Sequence, residues 1–184
     1  MSHLDSLMQN RFKRLPNLIV WISLCIAPFI AEGAKFAPPA WGGASEVLRF
    51  DYREGDGPAA NGARLAGVLE GGLKPGTYFR IDAGVYELDE RFAVALWGTA
   101  EAPIVLEGMG KVVLRNTPRR NVLELAGTYV VLRGLTFTGG SAGLRLQADT
   151  HHVWIDQCKI TRVGDAALTA NNGGVTYHHL YVTN

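Results

Sequence analysis

The sequence reads VVLR at residues 130–133, VWID at 153–156 and VTYH at 175–178, three strand-like stretches separated by steps of 23 and 22 residues. The same two steps connect further columns of apolar residues: Leu132, Ile155 and Tyr177; Leu135, Cys158 and Leu180; Phe137, Ile160 and Val182. A period in the low twenties, with apolar residues at alternate positions, is typical of a coiled parallel sheet with one turn of chain per repeat. We therefore predict an all-β parallel β-helix, which is a solenoid.

The positions between the apolar columns are expected to point outward and to form ladders between coils. One predicted column contains Arg133, Asp156 and His178, and a second contains Thr136, Lys159 and Tyr181. Threonines at 138, 161 and 183 form a third predicted column. Gly134, Gln157 and His179 fall where the alternation slips by one residue, which predicts a bend in each coil.

Upstream of these repeats, short stretches rich in valine, leucine and isoleucine predict strands at residues 78–81, 85–88, 92–96, 104–107, 112–114 and 122–125. Their connections are too brief for crossover helices, which argues against a doubly wound α/β sheet. An antiparallel sandwich is the main alternative. Its hairpin partners run in opposite directions, so it would not repeat the same columns in the same order.

The region before the strands is expected to contain a linker and a lid. Residues 34–60 are rich in glycine and proline and predict an extended, exposed linker, including the loop-like segment 54–58. Residues 61–75 predict a short capping helix, with Asn61 as its N-cap and Gly71-Gly72 at its end. A solenoid needs such a cap, since its first coil has an open apolar end. Residues 76–184 are then the coils.

The N-terminus is typical of an export signal. Three basic residues, Arg11, Lys13 and Arg14, precede an apolar run over 18–30 that is short for a bilayer span. We predict a signal peptide over 1–33, and hence a secreted, periplasmic or cell-surface protein; an uncleaved membrane anchor is the alternative. After cleavage no membrane association is expected. Cys25 lies within the signal, so Cys158 is expected to be a lone core thiol without a disulfide.

Charge excludes some partners. Of 184 residues, 18 are basic and 17 acidic; removal of the signal takes three basic and two acidic residues and leaves 15 of each. Such a balance gives no electrostatic reason to expect nucleic acid as a partner.

Several segments resemble a known family. They are Pro75-Gly76, Gly84-Val85-Tyr86 and the stretch GTAEAPIVLEG at residues 98–108. In these features residues 61–184 resemble the right-handed parallel β-helix proteins of the pectate-lyase-like superfamily, and look most like the polysaccharide lyase family of alginate lyases and chondroitinase B. Such motifs specify a fold better than a chemistry. The resemblance implies only an N-terminal portion, because the family's catalytic residues and calcium ligands lie on later coils that no motif here matches.

The resemblance implies a polysaccharide lyase that acts by β-elimination on a uronate-containing polymer. That reaction needs cations to neutralise the carboxylate and a base close to the proton that is removed. The weak catalytic candidates are Lys159 and His178. The predicted substrate-binding residues are Arg133, Trp154, Asp156, Arg162 and Tyr181. The resemblance allows calcium as a cofactor, but no ligands for it can be identified.

Each of these residues has an ordinary alternative role. Exposed sheet faces carry mixed charges for solubility, and Arg133 beside Asp156 is a favourable pair without any substrate. The histidine pairs 151–152 and 178–179 are not expected to bind a metal, because adjacent strand residues point to opposite faces. The alternative function is a noncatalytic surface or envelope β-helix that binds glycans or acts as a structural module.

Overall fold

The computed structural model describes residues 39–43, 45–170 and 178–183. Most of these residues belong to strands of a parallel sheet, and one short α-helix accompanies it. The predicted signal peptide lies outside the described residues. In the described part of the chain no helix is long and apolar enough to cross a membrane. The strands are β1 (Glu46–Phe50), β2 (Thr77–Leu88), β3 (Ala93–Trp97), β4 (Ile104–Asn116), β5 (Leu123–Thr138), β6 (Ala142–Leu146), β7 (His151–Asp156), β8 (Lys159–Thr161), β9 (Ala166–Thr169) and β10 (Leu180–Thr183).

The strands pair in three parallel ladders. The first ladder joins β1, the start of β2, the start of β4, the middle of β5, β7 and β10. The second ladder joins the ends of β2, β4 and β5 with β8. The third ladder joins β3, the start of β5, β6 and β9. Parallel pairing is what the constant repeat register predicts, and it rules out the antiparallel sandwich for these strands.

The inward positions of the ladders form one hydrophobic core. Valine, leucine, isoleucine and phenylalanine alternate with outward residues, and their side chains are almost fully buried; examples from β5 and β7 are Val130, Leu132, Phe137 and Val153. Each fully buried side chain of this size contributes about 1.5–3 kcal/mol. Tyr86 is also buried, and its hydroxyl donates a hydrogen bond of 2.8 Å to the carbonyl oxygen of Asp82.

The predicted pairing of residues one step apart is observed for the first two stretches. Val130 pairs with Val153, Leu132 with Ile155, and Phe137 with Ile160, all at the expected step. Thr138 also pairs with Thr161.

The predicted third copy is wrong in register. Leu180 pairs with Val153, Tyr181 with Trp154, and Thr183 with Asp156. Tyr181 therefore does not lie in the column of Lys159, and Thr183 does not lie in the threonine column. Residues 175–177, which were predicted to pair with β7, lie outside the described residues. Alternating apolar residues run through both 175–177 and 180–182, so alternation alone could not choose between the two registers.

Two of the three predicted bends, at Gly134 and Gln157, lie between ladders, and the structure shows that they use left-handed backbone. Gly134 has φ 64° and Gln157 has φ 51°. The third predicted slot, His179, also has left-handed backbone (φ 52°), but it does not align with Gly134 and Gln157. It aligns with His152 (φ 53°) and Tyr129 (φ 52°), at the corner before the first ladder. Non-glycine residues adopt this conformation rarely, and histidine is among those enriched in it.

The helix α1 spans Gly57–Glu70 and begins four residues before the predicted start. Pro58 favours this earlier start, because its fixed φ suits the first helical turn. Segment 54–58 is therefore not a loop: a 3-10 turn spans Glu54–Asp56 and leads directly into the helix. The helix packs against β2 and β3, and Leu65 and Leu69 join the core.

Asn61 is not the N-cap that the sequence predicted. It lies inside the helix, fully buried, and its amide donates to the carbonyl oxygens of Arg53 and Gly57 at 2.7 and 2.8 Å. Its carbonyl oxygen accepts a hydrogen bond from the backbone of Arg53 at 2.9 Å. Asn61 thus fastens the preceding turn to the helix, a role that a short polar side chain fills equally well. At the other end Gly72 (φ 80°) supplies the predicted left-handed residue.

The segment expected to be an exposed linker is partly a strand. β1 pairs with β2 over its whole length, and Phe50 at its end is buried against Phe79 and Tyr86.

Candidate functional site

A groove of about 530 Å³ lies along the outer face of the second ladder. Four of its lining residues are basic, and none is acidic. Its lining consists of Val85, Lys111, Val113, Arg115, Thr136, Thr138, Gly139, Lys159, Thr161 and Arg162. We call it the basic groove.

Two rows of paired residues form the floor of the basic groove. In the first row Val85, Val113, Thr136 and Lys159 follow one another across four strands. The second row runs from Arg115 through Thr138 to Thr161. Neighbouring strands are about 4.8 Å apart, so each row extends over roughly 10–14 Å. The inward neighbours of these residues are core residues, which is why the rows face outward.

The remaining cations come from the corners. Lys111 lies in β4 between Glu107 and Val112, where four residues of β4 face a single residue of β5 and the register shifts. Arg162 follows β8 in the left-handed conformation, with φ 54°. Both side chains are exposed. The strands thus form the floor of the basic groove, and the residues at the corners add positive charge at its edges.

Only one of the four cations is neutralised within the described residues. Arg115 donates to Glu87 on the neighbouring strand at 3.0 Å. Lys111, Lys159 and Arg162 form no ion pair with any carboxylate that the structure describes. The basic groove therefore has an excess of exposed positive charge.

The outer face of the first ladder differs, because its charges pair. Arg133 donates to Asp156 at 2.8 Å, and Arg80 lies 3.6 Å from Glu107. The guanidinium of Arg133 also lies 5.2 Å from the centre of the Trp154 ring. Burial opposes the charged form of Arg133, but the hydrogen bonds and charges of Asp156 and Tyr78 together outweigh it and raise the pKa of Arg133. This face is held together by its own charges.

Thr183 connects the last two strands of that face. Its hydroxyl donates to Asp156 at 2.7 Å and accepts a hydrogen bond of 2.7 Å from the indole nitrogen of Trp154. These bonds occupy the polar atoms of two predicted substrate-binding residues.

The structure divides the predicted site residues into three places. Lys159 and Arg162 lie together in the basic groove. Arg133, Trp154 and Asp156 belong to the paired face of the first ladder, and Tyr181 lies beside Trp154. His178 does not stack in the column of Asp156; its ring stacks on that of His151, with centroids 4.7 Å apart. The two catalytic candidates are thus not brought together.

The sequence prediction missed Lys111 and Arg115. Arg115 could have been found, since it directly follows the predicted strand 112–114, and inward Val112 and Leu114 place the next alternate position outward. Lys111 could not, because the position of a side chain in a bulge depends on how many residues the partner strand contributes.

The histidines form a second cluster, and one sequence argument about them is wrong. Adjacent histidines were expected to point to opposite faces, yet Nδ1 of His151 lies 2.7 Å from Nδ1 of His152. The left-handed backbone at His152 breaks the alternation and brings the rings together. Burial and the imidazoles of His178 and His179 lower the pKa of His151, and burial and its neighbouring imidazoles lower that of His152.

Comparison with solved structures finds similarity to an alginate lyase from Paenibacillus sp. strain FPU-7. The TM-score is 0.55 and the sequence identity 26% over 68% of this chain. The matched region spans 40% of the length of that alginate lyase. No protein-family model matches the sequence, and comparison with curated proteins finds no match.

Proposed function

We propose that this chain forms successive coils of a right-handed parallel β-helix of the pectate-lyase-like superfamily, and that it is the N-terminal part of an exported polysaccharide lyase. Three parallel ladders joined by short corners support the solenoid, with α1 as its cap. The similarity to an alginate lyase supports the reaction class. Its substrate is a uronate-containing polymer, and neither nucleic acid nor a membrane is a partner of the mature chain.

The basic groove is the observation that carries this proposal. A uronate polymer presents a carboxylate on every uronate unit, so a binding surface for it needs several cations along one direction. The groove supplies four such cations across neighbouring strands and no carboxylate. Arginine can bind a carboxylate with two parallel hydrogen bonds, whereas lysine acts as a mobile point charge.

The reaction is a β-elimination. A base removes the proton next to the uronate carboxylate, the electron pair of that C–H bond forms a new double bond, and the sugar oxygen at the neighbouring carbon leaves. Cations beside the carboxylate stabilise the negative charge that develops. We assign this neutralising role to Lys159 and Arg162, with Lys111 and Arg115 holding the neighbouring sugars. No residue of the groove is assigned as the base.

Calcium does not fit the basic groove. Ca²⁺ takes six to eight oxygen ligands, mostly carboxylates and carbonyls. The lining residues contain no carboxylate, and their four cations would repel the ion. In this part of the chain, neutralisation of the substrate therefore falls to lysine and arginine.

Binding measurements test the groove directly. Isothermal titration calorimetry would compare alginate, polygalacturonate, chondroitin and neutral dextran. We expect binding of at least one polyuronate and none of dextran. Lys159→Gln or Arg162→Gln should each weaken binding about fivefold, which corresponds to about 1 kcal/mol for one exposed ion pair.

Arg80→Gln is the matched control, because it removes one cation from the paired face of the first ladder and leaves the groove intact. Unchanged affinity in both groove variants, or an equal loss in the control, would exclude the groove as the binding site.

Turnover separates the enzyme from the noncatalytic alternative. The full-length protein is incubated with the polyuronate that it binds, and unsaturated sugar is followed by its ultraviolet absorbance. A rise in absorbance supports the lyase. Binding without a rise would leave a glycan-binding module. If neither binding nor a rise is found, the lyase and the glycan-binding module are both rejected, and only the structural module is left.

A further inference from the structure

All histidines of the described residues lie in a single cluster. His151 and His152 are the first two residues of β7, and His178 and His179 lie beside them, directly before β10. The rings form two stacks, His151 on His178 with centroids 4.7 Å apart and His152 on His179 with centroids 4.2 Å apart. We call these four residues the histidine cluster.

Left-handed backbone brings the two stacks together. His152 and His179 have φ of 53° and 52°, so each ring turns toward the ring of the preceding histidine. Nδ1 atoms within each adjacent pair are then 2.7 and 2.6 Å apart. At such a distance the two nitrogens of each pair can share one proton.

Aromatic rings cover one side of the cluster. Tyr129 stacks on His152 with centroids 4.3 Å apart, and the Trp41 ring packs edge-on against Tyr129 at 5.5 Å. His151 and His152 are half-buried as a result, whereas His178 and His179 are exposed. The cluster thus has a fixed inner pair and an outer pair that solvent can reach.

The ligand atoms are close enough to share one ion. Each of His151, His152 and His178 offers a ring nitrogen, and these three atoms all lie within 4.8 Å of one another. Zinc–imidazole bonds of about 2.1 Å require ligand nitrogens about 3.4 Å apart in a tetrahedral site. To hold an ion at that spacing the rings would have to rotate, and exposed His178 is the ring most free to do so.

We propose that the histidine cluster binds a divalent transition-metal ion, with His151, His152 and His178 as ligands and His179 or a water as the fourth. Zn²⁺ fits this set best, and Ni²⁺ and Cu²⁺ share its preference for imidazole. Ca²⁺ and Mg²⁺ require oxygen ligands, and no carboxylate belongs to this group of ligand atoms. Since β7 and β10 pair directly, the ion would also fasten these two strands to each other. Metal binding here does not depend on polysaccharide binding.

Direct titration of the chain tests the proposal. The protein is prepared without a histidine tag, treated with a chelator, and titrated with ZnCl₂ by calorimetry, and with CoCl₂ to follow the visible absorption of tetrahedral cobalt. We expect a single ion per chain and a higher thermal midpoint in the presence of Zn²⁺. His178→Asn should weaken Zn²⁺ binding at least about tenfold without preventing folding, because this side chain is exposed.

Arg119→Gln is the control, because it removes an exposed nitrogen-containing side chain that lies outside the histidine cluster. It should leave the Zn²⁺ affinity and the cobalt spectrum unchanged. Absence of Zn²⁺ binding to the folded wild-type chain would overturn the proposal. So would equal binding by the double variant His151→Asn/His178→Asn, which would show that the rings stack without holding an ion.

Discussion

Glu124 shows how single residues connect neighbouring strands. Its buried carboxylate accepts hydrogen bonds from Arg91 at 2.7 and 3.0 Å, from Asn121 at 2.9 Å and from Gln147 at 2.6 Å. Burial opposes the charged form, but these donors outweigh it and lower the pKa of Glu124. All of these hydrogen bonds to the carboxylate therefore form only while the adjacent strands and their connecting segments stay in place.

The Glu124 network predicts a loss of stability in acid. Because the folded-state pKa is below the unfolded value of about 4.3, the stabilisation is complete above that value and is lost as pH falls through the folded-state pKa. Glu124→Gln should lower the free energy of unfolding by about 1–2 kcal/mol at neutral pH and should remove part of its decrease in acid. Urea denaturation across the acid range measures both effects.

Glu87→Gln is the control for this prediction, since Glu87 pairs with Arg115 at the surface. It should change the free energy of unfolding by less than about 1 kcal/mol. The prediction fails if Glu124→Gln keeps the full acid dependence of the wild-type chain.

Cys158 is predicted to be an unreactive thiol. Burial is the main cause that raises its pKa to about 11, and its sulfur donates to the carbonyl oxygen of Leu132 at 3.3 Å. Since the thiolate is the reactive form, a Cys25→Ser chain should react with iodoacetamide at neutral pH only after unfolding in urea. Mass spectrometry of the alkylated chain measures the difference. Equal labelling rates in the folded and unfolded states would show that the partial burial of Cys158 does not protect its thiol.

At the scale of elements, the contact between α1 and β2 depends on a glycine. Gly62 is buried, and a Cβ at this position would overlap the carbonyl group of Glu87 in β2. Gly67 lies in the same helix, is exposed, and has open space around it. A methyl group would thus clash with β2 at Gly62, whereas it would meet no other atom at Gly67.

That difference gives a matched pair of substitutions. Gly62→Ala should lower the free energy of unfolding by about 3 kcal/mol or more, because the helix must move away from the sheet. Gly67→Ala should raise it by about 0.5–1 kcal/mol, since alanine favours the helix over glycine. Urea denaturation measures both. A similar effect of the two substitutions would mean that α1 does not pack against β2 as described.

The elements also show what the sequence could and could not predict. The strands and their parallel order followed from apolar alternation and a constant step, because both reflect burial. The register of β10 required a second signal, and the sequence contains one: HHVWID at 151–156 and HHLYVT at 178–183 share a histidine pair before an apolar-aromatic-apolar strand. Loop lengths vary without changing burial, so periodicity alone cannot fix register.

At the scale of the whole molecule, charge is balanced overall and uneven locally. The net charge of the sequence is +1, yet the basic groove contains four cations and no acid. Sequence counting could not reveal this groove, because Lys111 and Lys159 are far apart in the chain and meet only through strand register. Electrostatic attraction of a polyanion would therefore come from the basic groove at short range, and not from the net charge of the molecule.

The uneven charge predicts that polyuronate binding depends strongly on salt. Exposed charges are screened beyond about 10 Å at 0.1 M ionic strength and beyond about 3 Å at 1 M. We expect the dissociation constant for the bound polyuronate to rise by at least about tenfold over that range, and to rise less in Lys111→Gln/Lys159→Gln. Calorimetry at several NaCl concentrations measures it. A dissociation constant that is independent of salt would assign binding to stacking and neutral hydrogen bonds instead.

The corners of unequal length have a consequence for how such a chain can change over generations. Between Glu107 and Val112 the chain uses four residues, while the partner strand crosses the same corner with Gly134 alone, and pairing resumes as Val112 with Leu135. Insertions and deletions at this corner are thus absorbed without shifting the neighbouring strands. Lineages can lengthen, shorten or exchange corner segments one at a time, and so acquire new surface chemistry while inheriting the scaffold unaltered.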